Sequence, residues 1–156
     1  MRIRFKIHRK YILLLKQTYV IFRLGSFSRN LRNELKYSKK IYFYVNGIRN
    51  ALIAKFEQIE SHNDIGSLWE NYLISERIKH LNYSGAWVNY WFWRTKEQKE
   101  INFIEESDGK LTAYELKWAP DIHTKLPKQF QNTYGDINFR VIHHDNFEEL
   151  ILDKRS

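Results

Sequence analysis

At 156 residues the chain has room for one full-sized core and little more. Hydrophobic residues make up 43% and aromatics 16%, which excludes a disordered chain; with no cysteine there is no disulfide framework, thiolate nucleophile or cysteine metal cluster. The net charge of +8 is lopsided, because the first forty residues carry twelve Lys and Arg against Glu34 alone, leaving the remainder slightly acidic. A basic arm on a near-neutral body suits a nucleic-acid surface, a solvated helix or a face that docks on an acidic partner.

The spacing of Ile3, Ile7, Tyr11, Leu14 and Leu15 predicts a helix over residues 1–17. Lys16 and Gln17 interrupt its apolar run before a secretory signal develops, and no stretch approaches the ~20 apolar residues of a bilayer span. A soluble, cytoplasmic protein with no membrane partner is expected. Residues 18–24 are β-rich and end at Gly25-Ser26; after a polar loop, Lys40 to Val45 predicts a second strand. Helix, strand, loop and strand follow the order of the recognition helix and wing of a winged-helix module without its earlier helices. Residues 1–46 are therefore expected to form a truncated, basic winged-helix element, with Arg29, Arg32, Lys39 and Lys40 as its candidates for nucleic-acid contact.

Asn46-Gly47 marks a turn and residues 48–56 a short helix. Ser61-His62-Asn63-Asp64 offers capping chemistry for a longer helix over 65–81, with Ile65, Leu68, Trp69, Tyr72 and Leu73 as its buried stripe and Glu70 at the stripe's border. Ser84-Gly85 breaks the chain before three strands, 90–94, 100–104 and 112–118, separated by Lys96-Glu97-Gln98 and Ser107-Asp108-Gly109. Pro120 and Pro127 punctuate the next segment. A helix over 128–133, a strand over 138–142 and a short helix over 147–152 complete an α/β domain, a sheet flanked by helices, over residues 47–156.

Period two puts Ala113, Glu115 and Lys117 on one face of the third strand and Tyr114, Leu116 and Trp118 on the other. A carboxylate and an ammonium side by side on an otherwise apolar strand form either a structural ion pair or the floor of a catalytic site. His143-His144-Asp145 makes poor joint metal ligands, because adjacent strand residues point to opposite faces. The five tryptophans sit on strands and a helix stripe, where core packing outweighs base stacking.

Glu70 on a helix, Asn102 on the second strand and Glu115-x-Lys117 on the third follow the layout of the PD-(D/E)XK nuclease superfamily, with Gln129, Gln131 and Tyr134 further on. Seven flanking blocks strengthen the resemblance: Phe27 to Arg32, Ile41 to Tyr44, Gly47 to Leu52, Leu68 to Asn71, Phe92 to Thr95, Glu100 to Asn102 and Tyr114 to Trp118. Together they resemble the C-terminal region, called DUF4143, of archaeal-type AAA ATP-binding proteins.

The resemblance implies a PD-(D/E)XK nuclease-like mixed sheet flanked by helices and preceded by a winged helix. In it Glu70, Asn102 and Glu115 would bind Mg²⁺, Lys117 would position the attacking water, and Gln129, Gln131 and Tyr134 would be auxiliary. Oxygen ligands suit a hard ion that polarises phosphate and acidifies water, and a nearby ammonium stabilises developing negative charge. Relatives carry an AAA ATPase module ahead of these parts. The chain has no Gly-rich loop followed by Lys and Ser/Thr, so neither nucleotide nor ATPase activity is expected, and DNA or a separate ATPase subunit is the implied partner.

Two positions depart from the family pattern. Val45 stands where an Asp is common, which bears on turn capping. Asn102 stands where the pattern has Asp, which removes a full negative charge from the metal site and weakens it. The expectation is a nuclease-fold accessory domain with impaired chemistry, acting in DNA or partner-protein binding. The alternative is an active Mg-dependent DNA endonuclease, of restriction or Holliday-junction-resolvase type, using Glu70, Glu115 and Lys117 with Asn102 as a neutral ligand.

Overall fold

Helix α1 (Arg2–Gln17) forms where the spacing predicts it and ends at Tyr19, whose φ of 56° reverses the chain. The Val20 N–H returns to the Leu15 carbonyl at 2.9 Å and the Thr18 hydroxyl donates to the Leu14 carbonyl at 3.0 Å, so the last carbonyls are satisfied without a glycine. The computed structural model describes residues 2–29, 38–52, 64–121, 124–135 and 137–152, with side chains from residue 10 onward. Arg32, the end of the helix expected over 48–56, and Ser61-His62-Asn63 lie outside the described residues.

Strands β1 (Ile21–Gly25) and β2 (Lys39–Phe43) pair antiparallel, with Ile21 opposite Phe43 and Gly25 opposite Lys39. Beyond β1 the chain reaches the main sheet, where the Phe27 N–H donates to the Phe92 carbonyl at 2.6 Å. Helix α2 (Asn46–Leu52) starts at the Asn46-Gly47 turn itself.

Helix α3 (Ile65–Ser84) runs on until Gly85, whose φ of 67° closes it in the left-handed conformation that glycine adopts without strain. Leu68, Trp69 and Leu73 are buried as the stripe predicts, while Ile65 and Tyr72 are half-buried. The expected Asp64 cap is not made. Its carboxylate makes no capping bond to α3 and instead takes a 2.6 Å bond from Arg49, a charged donor that outcompetes an amide.

The main sheet has the order β3 (Asn89–Arg94), β4 (Glu100–Ser107), β5 (Lys110–Leu116), β6 (Asn138–Ile142). The first three strands are antiparallel neighbours, and β6 runs parallel to β5. Asp108 and Gly109, with φ of 52° and 73°, make the two-residue hairpin loop between paired Ser107 and Lys110. Helix α4 (Lys128–Tyr134) lies in the crossover that the parallel step requires, and α5 (Glu148–Ile151) comes after β6.

Strand alternation divides the core between the two faces of the sheet. Tyr114 and Leu116 join Leu73 and Ile78 of α3, whereas Ala113 joins Ile104 and Phe130 of α4. Phe22, Leu24 and Tyr42 of the hairpin belong to the same cluster as Trp69 and Phe92, so hairpin and sheet share one apolar layer. Among the described residues no helix is long and apolar enough to cross a membrane.

Candidate functional site

The site is assembled by a side chain that imitates a strand. Asn71 on α3 accepts from the Phe43 N–H and donates to the Phe43 carbonyl, both at 2.8 Å, and also donates to Asn46 Oδ1 at 2.6 Å. The end of β2 is thereby fastened to α3 one residue beyond Glu70. Lys40 and Tyr42, two apart on β2, share a face and meet the Glu70 carboxylate.

A bulge brings in the opposite side. Trp91 pairs with Ile104 but Trp93 with Ile101, so Asn102 and Phe103 together face Phe92 and β4 carries one extra residue there. Asn102 Nδ2 donates to Glu70 Oε2 at 3.1 Å, and Asn102 Oδ1 accepts the Leu116 N–H at 2.9 Å. The amide orientation is fixed by its neighbours: a backbone N–H can only donate and a carboxylate can only accept. Glu100, heading β4, binds the same Lys40 ammonium and lies 3.4 Å from Arg94 Nε.

Glu70 therefore receives Lys40 at 2.8 Å and the Tyr42 hydroxyl on one oxygen, and the Asn102 amide on the other. Burial pulls the Lys40 pKa down, but Glu70 and Glu100 more than offset it and leave the ammonium firmly protonated. Burial and the same carboxylates push the Tyr42 hydroxyl far above the ordinary tyrosine range, so it keeps its proton and donates it to Glu70. Next to this group, Lys117 and Glu115 pair at 2.7 Å, with Lys117 one residue past the end of β5 rather than within the expected strand over 112–118.

Burial raises the Glu115 carboxyl above its ordinary range; Lys117 opposes the shift, and Glu100 and Glu70 add to it. A carboxyl with a raised folded pKa favours the fold while protonated. That contribution is complete below the ordinary value and is lost as pH climbs through the folded one. Glu115→Gln is expected to flatten the fall in stability from about pH 4.5 upward, read by urea unfolding at several pH values. An unchanged slope would place the titration elsewhere.

The sequence-predicted residues Glu70, Asn102, Glu115 and Lys117 thus lie in one neighbourhood. Of the nucleic-acid candidates, Lys39 is exposed on β2, and Arg29 is 57% exposed although paired with Glu106. Lys40 is turned into the site, because the Asn71 clamp orients its strand towards α3. Tyr134 packs its ring 5.0 Å from that of Phe27 and its hydroxyl accepts the Arg29 N–H at 3.1 Å, on the α4 side of the sheet. Gln129 is half-buried and Gln131 exposed on the same short helix, and neither shows a contact with the Glu70 group among the described residues. Sequence reasoning passed over Tyr42, Asn71 and Glu100. Only Glu100 had a local signal, standing two residues before Asn102 on one strand.

The magnesium that the resemblance implies does not fit this donor set. Asn102 offers a single, uncharged ligating oxygen, one lone pair of which takes the Leu116 N–H. Glu70 already takes three donors, one of them the ammonium that sits between it and Glu100. Among the described residues no group of three His, Cys, Asp or Glu side chains is placed to hold a metal ion.

Fold and site define a class: a four-strand mixed sheet flanked by helices, with a helix carboxylate, a bulged-strand amide and a strand ion pair gathered together. The chain belongs to the family described as Domain of unknown function (DUF4143), whose model matches residues 65–151. A second family model, Domain of unknown function (DUF8612), matches residues 1–60. Among curated proteins and solved structures nothing matches the chain. The carboxylates and Asn102 lie within the first matched stretch, and Lys40 and Tyr42 within the second.

Proposed function

We propose that the chain is an accessory domain of the PD-(D/E)XK nuclease-like type that binds DNA without cutting it. One observation carries this reading: the cation bound by Glu70 and Glu100 is Lys40, while Asn102 contributes only an uncharged oxygen that also accepts a backbone N–H. The basic N-terminal portion, read as a winged-helix remnant, supplies the DNA contact through Arg29 and Lys39.

The test uses supercoiled plasmid and branched DNA with Mg²⁺ or Mn²⁺, beside an electrophoretic shift assay over a range of salt. The expected outcome is salt-sensitive binding with no cleavage. Arg29→Gln with Lys39→Gln should weaken binding to all sequences and lower the salt slope by about 1 per lost phosphate contact. Binding that ignores salt, or is absent, overturns the DNA reading and leaves a partner protein, such as a separate ATPase subunit, as the ligand of the basic face. The convergence of Glu70, Glu115 and Lys117 favours a second reading, an active Mg-dependent endonuclease. Metal-dependent cleavage abolished by Glu115→Ala would establish it.

A further inference from the structure

The misfit with magnesium has a specific cause. Two carboxylates, Glu70 and Glu100, converge on one nitrogen, with the Tyr42 hydroxyl and the Asn102 amide completing the polar shell around Glu70. Oxygens converging from a helix and the head of a neighbouring strand form a cation site by their chemistry. The occupant is the chain's own ammonium, its charge held by both acids and its nitrogen 5.4 Å from the centre of the Phe92 ring. It comes from the stretch matched by one family model, and the acids come from the stretch matched by the other.

We infer that Lys40 is an intramolecular plug, a tethered cation from the N-terminal hairpin seated where the acidic pocket would otherwise take a divalent ion. Two features keep the pocket closed, the amide at position 102 and the ammonium at position 40. An aspartate introduced at position 102 alone leaves the plug in place, since a third carboxylate adds negative charge beside the ammonium. Introducing it and removing the ammonium opens a site for a hard divalent cation. The inference rests on the geometry of the pocket and is independent of whether the protein binds DNA.

The test is Mn²⁺ binding to the full chain, by calorimetry and by electron paramagnetic resonance. It compares the unaltered protein, Asn102→Asp, Lys40→Met, the double variant, and Asn102→Asp with Lys40→Arg as a charge-retaining control. The double variant should bind Mn²⁺ on the order of 100-fold more tightly than Asn102→Asp or the Arg control, since removing one close positive charge is worth that much at a partly buried site. Near-UV circular dichroism checks folding. Should Lys40→Met unfold the chain, Lys40→Gln, which keeps a donor beside Glu70, takes its place in both comparisons. In the unaltered protein the Leu116 amide resonance, bonded to Asn102, should stay sharp when one equivalent of Mn²⁺ is added. Equal Mn²⁺ affinity for Asn102→Asp with and without Lys40, or broadening of that resonance at one equivalent, overturns the plug.

Discussion

Arg77→Ala is expected to destabilise the protein by about 3–5 kcal/mol, the cost of stranding one member of a buried ion pair. Arg77 and Glu105 are 1% and 2% exposed, and the guanidinium grips both carboxylate oxygens, at 2.6 and 2.8 Å. Its remaining nitrogen donates to the Leu150 carbonyl at 2.8 Å, so a single side chain ties α3, β4 and α5 together. Truncation takes from a buried carboxylate the guanidinium that holds both its oxygens, takes from the Leu150 carbonyl its Arg77 donor, and leaves a void. In urea unfolding the midpoint should fall steeply with little change in slope, and the melting temperature should drop by roughly 10 °C. Arg77→Met combined with Glu105→Leu should recover much of the loss, since removing both charges also removes their desolvation. A double variant no more stable than Arg77→Ala would show that the Leu150 contact, not the ion pair, carries the effect.

Asn102→Asp should produce the second large change, one that depends on pH. One oxygen of the introduced carboxylate can still accept the Leu116 N–H. The other replaces a donor 3.1 Å from Glu70 Oε2, leaving two carboxylates face to face without a proton between them. Lys40 offsets part of this repulsion, and a net loss of about 1–3 kcal/mol at neutral pH is expected, as for a buried acceptor left unpaired. Because the pair cannot ionise fully without strain, its folded pKa rises above the unfolded value. The stability contribution is therefore present at low pH and lost as pH rises through the folded value. Stability relative to the unaltered protein should recover as the solution is acidified and one proton bridges Glu70 and the new carboxylate at position 102. An Asn102→Asp protein matching the unaltered one from pH 4 to pH 8 would mean that the amide is not a structural donor to Glu70.

Both effects arise where the reading of local pattern gives out. The order of helices and strands is legible because periodicity acts over about ten residues: the 3.6 spacing of Leu68, Trp69 and Leu73, the alternation of Ala113, Tyr114, Glu115 and Leu116, and the Asp108-Gly109 turn each need only their neighbours. The Glu115–Lys117 pair was legible for the same reason, two residues apart at the end of β5. The presence of Asn rather than Asp at position 102 is likewise a fact of composition, and its consequence for a cation site is a matter of charge alone.

Tertiary structure alone decided which charges meet. Lys40 finds Glu70 thirty residues on and Glu100 sixty residues on, and that encounter depends on the Asn71 clamp and on the register of β1 against β2. The bulge at Asn102 and Phe103 interrupts the alternation that would be read from β4 in isolation. Arg77 lies on a helix whose other charged residues, Glu70, Glu76 and Lys79, remain partly exposed, and only the position of Glu105 across the core makes its burial tolerable. Local spacing encodes the elements, whereas Coulomb energy depends on distances that exist only after those elements have packed.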